Sequence, residues 1–176
     1  MNWKTMRENG PLIAVGLLLG WLLLKRISDS GMVGQPAPDF ALPVMAGEGA
    51  SEGDRLRLSD LKGQVVVLDF WASWCGPCRA STVDLSALAT QYADQGVRFL
   101  GVNGESLPPE AYEMIGRTWG FRYPLLSDSQ NTAHLAYGVQ AFPSLFVIDR
   151  TQVVRYAVAG VPSRARLERE ISSVLK

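Results

Sequence analysis

The sequence contains little cysteine, little histidine and no excess of charge of either sign. Only two cysteines occur among 176 residues, which excludes a disulfide-dense secreted scaffold and leaves the two thiols to act as one pair. Even together with the single histidine of the chain, the two cysteines provide too few ligands for a four-ligand zinc site. Lysine plus arginine equals aspartate plus glutamate at 17 each. Because no polybasic run is present either, nucleic acid is not an expected partner.

The chain does have enough apolar sequence for one core. Hydrophobic residues make up 47% of the chain and charged residues 19%, which argues against disorder over most of its length. A length of 176 residues without internal repeats predicts one domain with an appendage rather than two full domains.

The appendage is the N-terminal segment, where residues 11–24 form an uncharged and almost wholly apolar run. At ~1.5 Å per residue, a helix of this length spans about 21 Å. Because the hydrocarbon core of a bilayer is about 30 Å thick, we expect a short membrane anchor, which requires a thinned bilayer or snorkelling of Lys25 and Arg26. These two cations favour an uncleaved signal anchor over a cleaved signal peptide, and a buried helix is the third interpretation. We predict an anchor and spacer over residues 1–31 and a folded domain over residues 34–176.

From residue 34 onward, short β-rich runs alternate with helical patterns, which predicts an α/β sandwich with helices on both faces of a central sheet. In the run from Gln64 to Trp71 every residue after Gln64 is apolar except Asp69, as expected for a central strand buried on both faces. Residues 45–54 are typical of an exposed loop. The other expected elements are helices over Cys75–Gln95, Pro109–Trp119 and 131–137, strands over Val97–Val102, Tyr123–Leu126, Ser144–Ile148 and Val153–Ala159, and a last helix capped by Ser163.

The motif Trp74-Cys75-Gly76-Pro77-Cys78 lies where the buried strand meets the long helix. A helix N-terminus favours an anion, so we expect Cys75 to be an accessible thiolate with a lowered pKa. Cys78, one turn later, can resolve a mixed disulfide formed on Cys75. Gly76 allows close approach of a partner chain, Pro77 suits an early helix position, and Trp74 offers partners a flat apolar surface. The pattern predicts dithiol exchange.

Asp69 is the charged residue within the buried strand, six residues before Cys75. An ionised carboxylate without partners would be destabilising there, so we expect a raised pKa. Such an acid can take the proton from Cys78, directly or through one water, when Cys78 attacks the mixed disulfide. The alternative is a solvated residue at the end of the strand.

Together these residues resemble the thioredoxin superfamily: VVLDFWASWCGPCR is similar to its active-site strand and turn, and FPSLFVID stands where that family has a cis-proline. GQPAPDF and LSDLKGQ look more like the membrane-anchored TlpA and ResA proteins and the cytochrome c maturation thioredoxins (CcmG, also called DsbE). The resemblance covers residues 34–175. It implies a thioredoxin-like three-layer sandwich with a central mixed sheet, preceded by the signal anchor.

The resemblance also implies roles for Phe142 and Pro143. It predicts a cis Phe142-Pro143 bond, with the Phe142 backbone turned outward for an extended substrate peptide. Two departures qualify the match. Where several relatives carry a glutamate three positions after the second cysteine this chain has Ser81, and where they often carry an asparagine it has Asp69.

The implied function is a thiol:disulfide oxidoreductase in the periplasm, tethered to the inner membrane and reducing protein disulfides, with cytochrome c maturation as one setting. Its electrons would come from a membrane-embedded donor similar to DsbD or CcdA, and no cofactor beyond the Cys75/Cys78 pair is expected. Three alternatives stay open. They are a disulfide oxidase of the same fold, a non-enzymatic Cu(I) carrier using both thiolates, and peroxide reduction, which the absence of a Pro-x-x-x-Thr-x-x-Cys arrangement disfavours.

Four further side chains carry weaker signals. Glu105 follows a predicted strand at the sheet edge where α/β proteins collect ligands, but an exposed loop acid is the favoured interpretation. For His134 we expect a surface or helix-packing role. Trp119 and Tyr123 are expected to serve packing.

Overall fold

The computed structural model describes residues 31–49, 51 and 53–176. The predicted anchor, including the apolar run of residues 11–24, lies outside the described residues. Within the part that is described, no helix combines the length and apolar character needed to cross a bilayer. Residues 32–176 form one compact unit.

Seven strands in the described residues form one mixed sheet. Strands β3–β4 and β4–β5 pair in parallel, and the other pairs are antiparallel. In order across the sheet the strands are β2-β1-β5-β4-β3-β6-β7. Their bounds are β1 Ala41–Ala46, β2 Arg55–Arg57, β3 Val65–Trp71, β4 Val97–Asn103, β5 Leu125–Ser127, β6 Ser144–Ile148 and β7 Val154–Ala159.

Strand β3 is central and entirely buried, as its apolar run predicts. Alternate side chains of a strand point to opposite faces of the sheet. Val67 and Trp71 accordingly belong to one buried cluster, and Leu68 and Phe70 to another. Both faces of the sheet are therefore core, and every residue of β3 needs an apolar side chain or a special reason not to have one.

Within residues 31–176, as far as they are described, four helices cover the two faces of the sheet unevenly. The core on the Trp71 face is built with α1, α2 and α4, and the core on the Phe70 face with the short α3. The layers confirm an α/β sandwich with a mixed sheet. The helix bounds are α1 Gly76–Tyr92, α2 Pro109–Trp119, α3 Thr132–Ala136 and α4 Arg164–Leu175, and 3₁₀ turns lie at Leu58–Leu61 and Ala93–Gln95.

The ends of these elements follow local chemistry. Gly96, with φ of 76°, ends the 3₁₀ turn after α1 in the left-handed conformation that glycine adopts readily. The Ser163 side chain accepts a hydrogen bond from the Arg166 amide and caps α4, as predicted. Strand β5 begins at Leu125 rather than Tyr123. Pro124 has no N–H for a ladder, which accounts for the later start.

The C-terminal ends of the parallel strands β3 and β4 lie beside the start of the antiparallel strand β6. Trp71 pairs with Asn103 there, and Phe70 pairs with Ser144. Residues that follow Trp71 and Asn103, and those that precede Ser144, are consequently brought together. Cys75, Glu105 and Pro143 all belong to these connections.

Candidate active site

Cys75 and Cys78 form a disulfide at the start of α1, with their Cα atoms 5.3 Å apart. Cys75 is the N-cap of the helix, and its sulfur accepts a hydrogen bond from the Cys78 amide at 3.1 Å. In the reduced protein this amide and the positive end of the helix dipole would stabilise a thiolate on Cys75. The cysteine motif therefore lies at the N-terminus of the helix, as predicted.

Residues Gly76 and Pro77 occupy the first turn of the helix. Proline is suited to this place because its missing N–H has no intrahelical partner to lose. A Cβ atom added at Gly76 would meet no atom within 4 Å. Packing within this chain therefore leaves open space beside the disulfide at that position, and the predicted approach of a partner chain there stays a prediction.

The disulfide is more enclosed than the sequence predicts. Only 3% of the Cys75 surface is exposed, and both cysteines belong to the buried cluster that contains Trp71 and Leu145. In this form the Cys75 sulfur is bonded to the buried Cys78. The expectation of an accessible Cys75 is thus wrong for the oxidised form. The neighbouring Trp74 is the exposed residue there, with 72% of its surface accessible to solvent.

Asp69 is buried on the same face of the sheet as Val67 and Trp71, with 1% of its surface exposed. Its Oδ2 accepts a hydrogen bond of 2.9 Å from the Tyr123 hydroxyl, and Oδ1 has no hydrogen-bond partner among the described residues. Burial raises the pKa of Asp69 to about 7, and the bond from Tyr123 only partly opposes this. The predicted raised pKa is confirmed, and Tyr123 does more than packing. The role of Asp69 as proton acceptor stays a prediction.

The Phe142-Pro143 peptide bond is cis, as the resemblance predicts. Strand β6 starts at the next residue, Ser144, whose hydroxyl donates to the Ala141 carbonyl at 2.7 Å. The Gly160 amide donates to the Pro143 carbonyl at 2.7 Å. Phe142 meets the exposed Trp74 edge-on, with ring centroids 5.7 Å apart. These two rings form an apolar pair beside the dithiol.

A hydrogen-bonded network that the sequence does not reveal holds the turn before Cys75. The Glu105 carboxylate accepts from the Ser73 amide at 2.6 Å, the Ser73 hydroxyl at 2.8 Å and the Asn103 side chain at 2.9 Å. Asn103 also donates to the Trp71 carbonyl and accepts from the Tyr112 hydroxyl. The network thus joins the ends of β3 and β4 to α2.

The favoured interpretation of Glu105 as an exposed loop acid is therefore wrong. Burial alone would raise the pKa of Glu105, but the hydrogen bonds from Ser73 and Asn103 outweigh it, so the pKa lies below its ordinary value. Glu105 is a half-buried carboxylate that borders the active-site turn. The one available signal was its place after a strand, at the sheet edge that also carries Cys75.

These features agree with the family match, which covers residues 33–157 and is described as the AhpC/TSA family. The chain belongs to the AhpC/TSA family. Two relatives are each 34% identical to it. One is the thiol-disulfide oxidoreductase ResA of Geobacillus kaustophilus, over 143 residues, 81% of this chain and 78% of the relative. The other is the thiol:disulfide interchange protein DsbE of Allochromatium vinosum, over 166 residues, 91% of this chain and 87% of the relative.

A solved structure shows the same fold in a relative. It is the crystal structure of a Chlorobium tepidum protein assigned as thiol:disulfide interchange protein DsbE, with a TM-score of 0.73 and 32% sequence identity. The match covers 82% of this chain and 98% of that one. The predicted resemblance to ResA and DsbE is confirmed. With the Cys75–Cys78 pair in place, this member of the AhpC/TSA family is a thiol-disulfide oxidoreductase.

The chemistry of the site is carried by sulfur. Among the described residues, no group of three or more His, Cys, Asp or Glu side chains is arranged to hold a metal ion. The expectation that the enzyme needs no cofactor beyond its dithiol stays a prediction.

Proposed function

We propose that this oxidoreductase acts as a reductase of protein disulfides, tethered to the inner membrane with its folded domain in the periplasm. The observation that carries the proposal is the Cys75 sulfur at the N-terminus of α1, hydrogen-bonded to the amide of its resolving partner Cys78. The apolar run of residues 11–24 and the similarity to ResA and DsbE support the tether and the location.

The reaction starts from the reduced enzyme. The Cys75 thiolate attacks one sulfur of a substrate disulfide, so that a Cys75–substrate disulfide forms and the second substrate sulfur leaves as a thiolate. Cys78 then loses its proton and attacks the Cys75 sulfur. This step releases the first substrate sulfur and leaves the Cys75–Cys78 disulfide. Two electrons have passed to the substrate, whose two sulfurs leave as thiolates and take protons from the solvent, and the single proton lost by Cys78 passes to an acceptor in the enzyme.

Asp69 is our candidate acceptor for the proton of Cys78. Its pKa of about 7 suits a group that must be ionised to accept a proton and neutral afterwards. The unpartnered Oδ1 leaves one oxygen free for this purpose. Transfer occurs directly or through one water.

We propose that Trp74 and Phe142 receive the substrate and that Pro143 lies against it. The exposed indole and the Phe142 ring provide an apolar contact, and the Phe142 backbone is our candidate for pairing with an extended peptide. Disulfides between the paired cysteines of haem-attachment sites in apocytochromes c are one proposed substrate. A membrane-embedded donor similar to DsbD or CcdA would return the dithiol to its reduced form.

A trapping experiment tests the proposal. In the full chain, Cys78→Ser leaves Cys75 able to attack but unable to be released. We expect mass spectrometry of membranes to find proteins bound to Cys75 through disulfides, substrates and donor among them. The matched control Cys75→Ser should trap none of them.

The direction of electron flow has a separate test. A reductase is expected to have a potential similar to that of thioredoxin, about −270 mV, whereas a potential near −120 mV, similar to that of DsbA, would indicate an oxidase. Recovery of the full chain in the soluble fraction, with residues 11–24 intact, would contradict the membrane tether.

A further inference from the structure

His134, the single histidine of the chain, is buried behind the Phe142 loop with 6% of its surface exposed. It lies on α3, on the face of the sheet opposite α1. Its ring Nδ1 is 2.7 Å from Oδ2 of Asp128. The reaction described above uses neither residue, so their place beside the substrate loop needs another explanation.

Asp128 fixes the orientation of the ring. Its carboxylate also accepts hydrogen bonds from the amides of Thr132 and His134 and from the Thr132 hydroxyl. Burial alone would raise the pKa of Asp128, but the bonds from His134 and Thr132 lower it below its ordinary value. An ionised carboxylate only accepts hydrogen bonds, so Nδ1 of the imidazole must donate.

The ring is confined on three sides. Phe70 lies edge-on at 4.9 Å between centroids, and Phe142 lies edge-on at 5.8 Å. On a third side the backbone of Gly104 approaches so closely that a Cβ there would lie 3.0 Å from the ring atom Cε1. With little room to move away, the imidazole supports the Phe142 ring from below the surface, and Phe142 in turn meets Trp74.

Packing alone does not account for an imidazole at this position. Its Nε2 is buried without a hydrogen-bond partner among the described residues, which is destabilising. A phenyl ring would avoid that loss but could not donate to Asp128. An asparagine could donate to Asp128 but would leave the space behind Phe142 unfilled. Histidine meets both requirements at once.

We propose that His134 is a positioning residue for protein substrates, which holds Phe142 against Trp74 while its Nδ1 anchors α3 through Asp128. This inference rests on the proposed reduction of protein disulfides. It assigns His134 to substrate affinity and not to the chemistry of the sulfurs, because its ring contacts Phe142 of the aromatic pair.

Two substitutions separate the two contacts. His134→Asn keeps a donor for Asp128 and removes the ring, so we expect KM for a protein disulfide such as insulin to rise about threefold to tenfold, the size of one lost aromatic contact. His134→Phe keeps the ring, so KM should stay within about twofold of the original while the midpoint of unfolding falls because Asp128 loses a partner.

A small disulfide, 5,5′-dithiobis(2-nitrobenzoate), provides the internal control. It needs no docking surface, so its rate of reduction should be unchanged in both variants. His134→Ala, which also removes the ring, should raise KM for insulin as His134→Asn does. This variant keeps the test valid if His134→Asn folds poorly.

An unchanged KM in folded His134→Asn, or an equal loss with insulin and the small disulfide, would overturn the inference. A rise in KM in His134→Phe as large as that in His134→Asn would also overturn it. If the unmodified protein reduces the small disulfide but no protein disulfide, including the Cys-x-x-Cys-His disulfide of an apocytochrome peptide, the proposed function itself fails and the inference falls with it.

Discussion

Two buried aspartates on opposite faces of the sheet have opposite acid–base properties. Asp69, on the α1 face, receives one hydrogen bond, from Tyr123, and its pKa is raised to about 7. Asp128, on the α3 side, receives bonds from Thr132 and His134, and its pKa is lowered. Burial depth and the number of donors together decide whether a carboxyl here is available for proton transfer or fixed as a structural anion.

The largest expected effect is on stability at alkaline pH. Asp69 binds its proton more tightly in the folded protein, with a pKa of about 7 against an ordinary 3.8. Its contribution to stability is therefore complete below pH 4 and is lost as the pH rises through 7. At about 1.4 kcal/mol for each pH unit, the loss reaches about 4 kcal/mol.

Asp69→Asn removes this loss because the amide does not ionise. Urea unfolding of the oxidised protein at pH 8 should show the variant more stable by up to about 4 kcal/mol, with the difference vanishing near pH 4. A difference that is the same at both pH values would show that Asp69 does not titrate between them.

The same substitution should slow the second step of the reaction. Without a proton acceptor, attack by Cys78 on the mixed disulfide is expected to slow by about 100-fold, the lower end of the effect of a positioned acid–base group. Rapid-mixing measurement of substrate release reports this step. Formation of the mixed disulfide by Cys75 serves as the control and should be unchanged.

The smallest effect is expected for Asp128→Asn. The amide nitrogen would face two of the donors that now point at the carboxylate, so the variant should lose about 2 kcal/mol at pH 7. Because the pKa of Asp128 is lowered in the folded state, its stabilisation is present above pH 4 and is lost at lower pH. The deficit of the variant should accordingly shrink in acid, and a deficit that grows would contradict a lowered pKa for Asp128.

Most of the fold was predictable because it rests on local patterns. The apolar run of β3, the glycine at position 96 and the Ser163 cap each act within a few residues of sequence. The dithiol was predictable because two cysteines three residues apart at the start of a helix are close enough to form a disulfide. The resemblance to a family supplied the cis bond at Pro143.

The remainder depended on residues far apart in sequence. Glu105 holds Ser73 from 32 residues away, and Tyr123 reaches Asp69 across 54 residues. No periodicity marks such pairs, so the sequence alone favours an exposed loop for Glu105 and packing for Tyr123. The enclosure of Cys75 in the disulfide form likewise depends on the cluster around it, which includes Leu145 from a distant strand.

The most direct test of the central claim is the pH dependence of alkylation of the reduced protein by iodoacetamide, with mass spectrometry to locate the modified cysteine. We expect Cys75 to react first and to titrate with a pKa below the ordinary value of about 8.5, since α1 and the Cys78 amide stabilise its thiolate. Modification of Cys78 first, or of Cys75 only above that pH, would contradict it.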